Sequence, residues 1–160
     1  MKAFLTSPNR PGAERSKMII RNNILNNLKL EQAKLSGSTL MLDDFISISR
    51  HSNLGLFQRL VKDITPDSVF DNVCLKPLYK SEDQELSLVW LKNEIPVESH
   101  SEHLESIFIL EGSCDCDIGG VSIQLEEGGY IQMPLHVPHK IISTSKKPVK
   151  AILSLVKVSN

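Results

Sequence analysis

The sequence has little of what marks several specialised classes of protein. Only 5% of its 160 residues are aromatic, three are cysteine, and 18 Lys and Arg face 19 Asp and Glu, for a net charge of -1. An odd cysteine count in a chain long enough to form a core argues against a disulfide framework. Balanced charge and scarce aromatic residues argue against a nucleic-acid partner. These absences favour a cytoplasmic protein.

Long apolar runs are missing as well. No stretch approaches the ~18 apolar residues that a membrane span needs. The apolar start of the chain is interrupted by Ser7, Pro8 and Asn9 before it reaches the length of a signal peptide. We therefore expect a soluble protein with no membrane partner.

The N-terminal part combines basic charge with helical patterns. Residues 1–35 are rich in Lys and Arg, and Ile20, Ile24 and Leu28 recur at helical spacing. This spacing predicts an amphipathic helix over roughly residues 15–35. The segment from Thr39 to Ser49 has no decisive period and fits either a strand or a helix.

A second apolar stripe follows. Phe57, Val61 and Ile64 recur at helical spacing and predict a short helix near residues 53–64. Two such stripes exceed what a lone small helix needs, because exposed apolar area usually finds a partner. We therefore expect a homodimer in which residues 1–68 take part.

From Val69 onward the sequence changes to short alternating or β-branched runs separated by turn signals, one of them at residues 93–96. This texture predicts a mainly β domain, a sandwich or barrel of antiparallel strands. We expect an N-terminal extension, partly helical, over residues 1–68, and a β-barrel domain over residues 69–160. The predicted strands are Leu86–Leu91, Glu105–Leu110, Cys114–Ile118, Val121–Leu125, Tyr130–Met133, Lys140–Ser143 and Val149–Val156.

The histidines of the β region form two close pairs. His100 and His103 lie between Glu98 and Glu105, while the second pair brackets a proline in the segment His136-Val-Pro-His139. Side chains two apart on a strand share a face, so each histidine of the first pair can point with its neighbouring glutamate. Imidazole and carboxylate groups that converge in a barrel suit a divalent metal such as Zn, Fe, Mn or Ni.

The spacing of these residues resembles the two motifs of the cupin family. The first motif, G-x5-H-x-H-x3or4-E-x6-G, is matched at its second His, its Glu and its last Gly, with Lys92 at the opening Gly and Glu98 at the first His. The second motif, G-x5-P-x-G-x2-H-x3-N, is matched at its first Gly, its Pro and its His. Two replacements fall in the second motif. The residues concerned are His100, Glu105 and Gly112 in the first motif, Gly128, Pro134 and His139 in the second, and the replacements His136 for Gly and Ser143 for Asn.

The resemblance implies a cupin jelly-roll β-barrel of the RmlC-like type over residues 70–158. It also implies a ligand set, since cupins usually hold a divalent metal with histidines and a glutamate from the first motif and a histidine from the second. Glu98 or His103 is the fourth ligand, and the sequence leaves this choice open. The implied metal ligands are Glu98, His100, His103, Glu105 and His139.

Cupins host many activities, so the fold alone does not name one. The favoured hypothesis is a metal-binding small cupin that binds or senses a small molecule in its barrel. One alternative is a metal-dependent cupin enzyme of the dioxygenase or isomerase type, although no acid or base is evident beyond Tyr130 and His136. Another alternative rests on similarity to the cupin half of anti-sigma factors, with residues 1–68 binding a protein partner.

Cys114 and Cys116 place two sulfurs on one face of a predicted strand. A zinc site needs further ligands, so this pattern predicts two small buried residues rather than a metal site. Gly119 and Gly120 follow directly, and a Gly-Gly pair between alternating runs predicts a tight hairpin.

Overall fold

A computed structural model describes residues 47–159 as two antiparallel β-sheets that face each other, with one helix on the outside. The helix predicted over residues 15–35, and most of the segment 39–49, lie outside the described residues. The elements are α1 (Leu54–Leu60), β1 (Val73–Lys80), β2 (Gln84–Leu91), β3 (Glu94–Glu98), β4 (His103–Glu111), β5 (Cys114–Ile118), β6 (Val121–Leu125), β7 (Tyr130–Met133), β8 (His139–Ser143) and β9 (Val149–Lys157).

The two sheets have five and four strands. The larger has the order β1-β2-β9-β4-β7 and the smaller β3-β8-β5-β6. Every pairing is antiparallel. The predicted mainly β fold, a jelly-roll barrel, is confirmed. Among residues 47–159, no helix has the length and apolar content that a membrane crossing would require.

The five-stranded sheet buries apolar residues on both faces, as the alternation of side chains along β4 shows. Ile107 and Ile109 face the barrel interior, where the two sheets meet, while Phe108 and Leu110 face outward. We call the buried cluster that contains Ile107 and Ile109 the inner core, and the one that contains Phe108 and Leu110 the outer core. Because both faces are covered, β4 is apolar without interruption from Ile107 to Leu110.

The outer core forms where α1 covers the sheet. Asn53 caps this helix, since its side chain accepts a hydrogen bond of 3.0 Å from the Leu56 N–H. The ring of Phe57 meets that of Phe108 at 5.5 Å between centroids. Gln58 Nε2 donates a 2.8 Å hydrogen bond to the Leu110 carbonyl, which lies at a register shift in the pairing of β4 with β9. Helix and sheet are thereby joined by apolar and polar contacts.

The predicted helix over 53–64 is present but shorter, because the chain turns after Leu60. Those turns keep the rest of the second apolar stripe buried: Phe57, Val61 and Ile64 are all buried in the outer core. The stripe therefore packs against its own barrel and gives no support to a dimer. The expected homodimer stays a prediction that depends on the first stripe, which lies outside the described residues.

The predicted hairpin at Gly119-Gly120 is confirmed. Gly119 and Gly120 join β5 to β6 with φ of 58° and 86°, the positive values that a primed hairpin turn requires. Gly112 follows β4 with φ 83°, and a Cβ there would lie 2.6 Å from Ser145 Oγ. Glycine is needed at this position on both conformational and steric grounds.

Seven predicted strands are present with small changes of boundary, and two strands were missed. Strand β1 was not predicted, and β3 begins at Glu94, within the segment 93–96 that was interpreted as a turn. Both contain a proline, Pro77 and Pro96, and both show a register shift next to it. Proline is tolerated in strands at edges and bulges, and β1 and β3 are edge strands of their sheets.

Candidate metal centre

A bulge in β3 turns Glu98 into the barrel. Ile95 pairs with Ile141 and Glu98 pairs with His139, so β3 uses one residue more than β8 over this stretch. Strict alternation would place Ile95 and Glu98 on opposite faces. The extra residue brings Glu98 onto the same inward face as Ile95, and Val97, which is exposed, faces solvent. The bulge next to Pro96 thus delivers a carboxylate to the interior.

Two further side chains reach the same place from neighbouring strands. Glu105 lies two residues before Ile107 on the inward face of β4, and His139 begins β8 two residues before inward-facing Ile141. His100 follows β3 in the segment that leads to β4. Three strands and one connecting segment therefore supply one side chain each.

The four side chains converge. One ligand atom from each lies within 4.8 Å of those from the others. His100 Nε2 lies 2.6 Å from Glu105 Oε2 and 3.8 Å from Glu98 Oε1, while His139 Nε2 lies 3.6 Å and 3.9 Å from the same two oxygens. Ligands that share one ion at ~2.1 Å are at most ~4.2 Å apart. These four His–Glu distances satisfy that limit.

The cluster has a buried side and an open side. The side chains of His139 and Glu105 are 1% and 4% exposed, whereas those of Glu98 and His100 are 26% and 28% exposed. An ion held between them would be anchored from inside the barrel and accessible from the Glu98 and His100 side. Open positions of this kind are typical of metal sites that accept a further ligand.

His139 shows most clearly that the cluster is suited to a cation. Its Nδ1 lies 3.1 Å from the Val137 carbonyl oxygen, which can only accept, so Nδ1 carries the hydrogen. The lone pair of the neutral ring is therefore on Nε2, which is buried and has no hydrogen-bond partner. A backbone carbonyl that fixes the tautomer in this way is a common support for a metal-ligating histidine. The unpartnered nitrogen faces two carboxylates and fits a metal ion between them.

The pKa values reflect mutual dependence within the cluster. Burial and the nearby Glu105 carboxylate raise the pKa of Glu98. The short hydrogen bond to Glu105 raises the pKa of His100, and proximity to the same carboxylate raises that of His139. Burial alone would raise the pKa of Glu105, but its contacts with the two imidazoles outweigh burial and lower it. Two carboxylates in a half-buried site need positive charge, which protons on the histidines or a cation can supply.

His103, the alternative fourth ligand, is not part of this group. It begins β4 opposite Lys157, two residues before Glu105. The spacing along β4 places His103 on the same face as Glu105, but this does not bring His103 into the cluster. Glu98 reaches the cluster from a different strand, because the bulge in β3 turns its side chain inward.

The two residues named as the nearest acid or base differ in position. Tyr130 packs against the outer core, and its hydroxyl donates a 3.3 Å hydrogen bond to Ser106 Oγ. It lies on the wrong face of the sheet for a role at the cluster. His136 is exposed, and its backbone N–H donates a 2.8 Å hydrogen bond to the His100 carbonyl. Its φ of 62° is the left-handed conformation, at the position where the second cupin motif has glycine.

An apolar cavity lies deeper in the barrel. It begins at Ile107 on β4 and Ile141 on β8, the inward-facing residues that follow Glu105 and His139. Its lining has no charged side chain and no hydroxyl or amide side chain. The lining residues are Val89, Leu91, Ile95, Ile107, Ile109, Cys114, Ile141, Val149, Ala151 and Leu153. The cluster thus stands between an apolar interior and the solvent.

Comparisons with known proteins agree with the fold and the motifs. Residues 88–155 match the family model described as a cupin domain. No curated protein matches the chain.

Solved structures with the same fold include the cupin domain of Schizosaccharomyces pombe Cnp3 (TM-score 0.56, 16% identity, 61% of this chain and 72% of that one). KdgF from Halomonas sp. aligns with TM-score 0.52 and 15% identity over 62% of this chain and 90% of its own. An RmlC-like cupin from Shewanella frigidimarina aligns with TM-score 0.52 and 18% identity over 62% and 88%. Identities this low establish the fold alone. The predicted resemblance is confirmed: residues 88–155 match the cupin domain model, and the four clustered side chains lie within these residues.

Proposed function

We propose that the protein binds one divalent metal ion through Glu98, His100, Glu105 and His139 and uses this centre to bind a small molecule. The observation that carries the proposal is the buried, unpartnered Nε2 of His139, with its tautomer fixed by Val137 and two carboxylates within 3.9 Å. Two imidazoles and two carboxylates suit Zn, Fe, Mn or Ni. Their formal charge of two minus balances that of a divalent ion.

The surrounding residues prepare the site. The Val137 carbonyl orients His139, the β3 bulge orients Glu98, and the His136 N–H holds the segment that carries His100. When bound, the ion would supply Lewis acidity to a ligand that approaches from the open side.

The chemistry around the centre favours an uncharged or metal-chelating ligand. The interior beyond the cluster is lined by apolar side chains, and its cavity of about 30 Å³ is too small for a ligand, so the ligand would bind on the open side of the cluster. The acidic character of residues 81–127 disfavours free anions that have no metal contact. Among the described residues no acid or base beyond the four ligands lies at the cluster, so a binding or sensing role is preferred to an enzyme.

The proposal is tested by calorimetric titration of the metal-free, full-length protein with Zn²⁺ and Mn²⁺. The wild type should bind one ion per chain. His139→Ala removes a ligand and should weaken binding by more than the ~10–100-fold that loss of an outer partner costs. His103→Ala is the matched control and should bind as the wild type does. The ligand assignment would be contradicted if both substitutions weakened binding equally, or if neither weakened it.

A further inference from the structure

The four side chains of the cluster differ in how firmly the protein holds them. His139 Nδ1 lies 3.1 Å from the Val137 carbonyl oxygen. His100 and Glu105 hold each other through a contact of 2.6 Å. The carboxylate of Glu98 has no such support, because its polar contacts within residues 47–159 are with the two imidazoles, at 3.8 and 3.9 Å, which is longer than a hydrogen bond. Glu98 is therefore the side chain of the cluster that can most easily rearrange around an ion.

The position of Glu98 on the open side gives it further freedom. Its backbone is fixed by the pairing with His139 across β3 and β8, but its side chain is 26% exposed, against 4% for Glu105. A glutamate can give an ion one or both of its carboxylate oxygens. Glu98 can therefore change the number of metal ligands without movement of the buried side of the cluster.

The chemistry of the donor atoms makes this position important for the choice of metal. Imidazole nitrogen suits Zn, Ni and Cu, whereas carboxylate oxygen suits Mn. The cluster has two imidazoles and two carboxylates. An imidazole in place of Glu98 would give three nitrogen ligands and a single carboxylate, so this one residue moves the site from a mainly nitrogen donor set to a mixed one.

The number of available ligands points the same way as their chemistry. Zinc is usually held by four ligands in a tetrahedron, whereas Mn favours six ligands in an octahedron rich in oxygen. One atom from each side chain of the cluster, the second oxygen of Glu98 and the open side together provide for more than four ligands. The site can therefore satisfy an ion that needs a larger ligand number.

We propose that Glu98 sets the metal preference of the centre and directs it toward a six-coordinate divalent ion that prefers oxygen ligands, of the manganese(II) class. This inference rests on the proposed function, since it concerns the same four residues. Sites of nitrogen and oxygen ligands generally bind Zn²⁺ more tightly than Mn²⁺, so selection depends on the ligand type and on the metal available. The role of Glu98 is to keep the ratio of Zn²⁺ to Mn²⁺ affinity small.

The test measures the affinities of the metal-free, full-length protein for Zn²⁺ and Mn²⁺, with a competing chelator for the tighter ion. Glu98→His exchanges an oxygen ligand for a nitrogen ligand. The ratio of Zn²⁺ to Mn²⁺ affinity should rise at least about tenfold, since a change of ligand acts at least as strongly as loss of an outer partner.

Glu102→His is the matched control. It makes the same exchange at an exposed residue outside the cluster, in the segment that leads to β4. Its affinity ratio should stay within about twofold of the wild type, because solvent and salt screen an exposed charge. Glu98→Gln covers the case in which an imidazole does not reach the ion. It keeps an oxygen but removes the charge on which Mn²⁺ depends more than Zn²⁺, so the ratio should again rise.

Cobalt(II) reports the ligand number without any substitution, because its visible absorption is strong with four ligands and weak with six. The wild type loaded with Co²⁺ should absorb weakly. The inference is overturned if the affinity ratio is the same in the wild type, Glu98→His and Glu98→Gln, if Glu102→His raises it equally, or if the cobalt protein absorbs strongly. Wild-type protein that binds neither Zn²⁺ nor Mn²⁺ would overturn the proposed function as well, which distinguishes the two failures.

Discussion

The two faces of the five-stranded sheet bury similar apolar residues and differ in what else they hold. The outer face packs against α1 and residues 48–64 through apolar contacts, with the Gln58 hydrogen bond to the Leu110 carbonyl across the contact. The inner face carries Glu105 and borders the other three residues of the cluster, together with the buried residues Cys114 and Cys116. The two buried side-chain nitrogen and oxygen atoms of residues 47–159 that lack a hydrogen-bond partner both belong to β8, across the barrel from this inner face. Stability and chemistry are therefore separated by a single layer of strands, and substitutions on the two faces should affect different properties.

The largest expected effect is on the outer face. Phe57→Ala removes a buried ring that packs on Phe108 and should lower the free energy of unfolding by about 3–5 kcal/mol, because it leaves a cavity. Denaturant unfolding measures this change. Val69→Ala, at a position 88% exposed, is the control and should cost less than about 0.5 kcal/mol. The metal affinity of folded Phe57→Ala should equal that of the wild type, and a large loss of affinity would break the separation between the faces.

Glu98→Gln should have the reverse effects: a large loss of metal affinity and a small change in stability. It keeps the shape of the side chain and removes a ligating charge, so metal affinity should fall by at least about 100-fold. The metal-free protein should lose little stability, because burial and the Glu105 carboxylate already disfavour the ionised form of Glu98 and raise its pKa. Calorimetry and denaturant unfolding of the same sample give both values. A stability loss as large as that of Phe57→Ala would show that Glu98 is chiefly structural.

The pH dependence of metal-free stability should come from the inner face. His100 and His139 have pKa values raised above 6.5, so their contribution to stability is present below pH 6.5 and is lost as pH rises through the higher folded values. Glu105, whose pKa is lowered, contributes above pH 4.5 and loses this as pH falls through its folded value.

Thermal unfolding of protein kept in chelator should therefore show a falling Tm above pH 6.5. Glu105→Gln removes the carboxylate that raises both histidine pKa values, so its Tm should vary less over that range. A Tm profile of Glu105→Gln that parallels the wild type would refute this origin. Metal affinity should also weaken as pH falls, beginning above pH 6.5, since ligating nitrogens must be deprotonated.

The smallest expected effect is at the open side of the barrel. His136→Gly relieves the left-handed conformation of a residue with a Cβ and should raise stability by about 0.5–1 kcal/mol, since glycine's extra freedom in the unfolded chain offsets part of the ~1–2 kcal/mol gained. Its N–H still bonds to the His100 carbonyl, so metal affinity should stay unchanged. A stability loss in chemical denaturation would mean that the imidazole itself makes a stabilising contact.

Much of the fold could be predicted because local patterns determine it. Strands β5, β6 and β7 have the predicted boundaries, since each shows a strand-like pattern and is flanked by glycines or, after β7, by Pro134. Strands β1 and β3 were missed because each contains a proline, which reads locally as a breaker. The partner strand and the bulge determine that these segments form strands, and neither can be recognised in a short window of sequence.

The candidate site was predictable in part for the same reason. Motif spacing singled out Glu98, His100, Glu105 and His139 together with His103, but the choice between Glu98 and His103 depends on the register of β3 against β8. Tyr130 was named by its motif position as one of the nearest candidates for an acid or base, but the register of β7 against β4 places it on the outer face. Register is a long-range property that spacing within one strand does not determine.

The most direct test of the central claim is the metal content of untagged protein purified without chelator, measured by elemental analysis beside Glu98→Gln and His139→Ala prepared in the same way. The wild type should contain about one divalent transition metal ion per chain, and both variants should contain far less, since each lacks a ligand. Wild-type protein that remains free of metal after incubation with Zn, Fe, Mn and Ni, or variants with the wild-type content, would contradict the account.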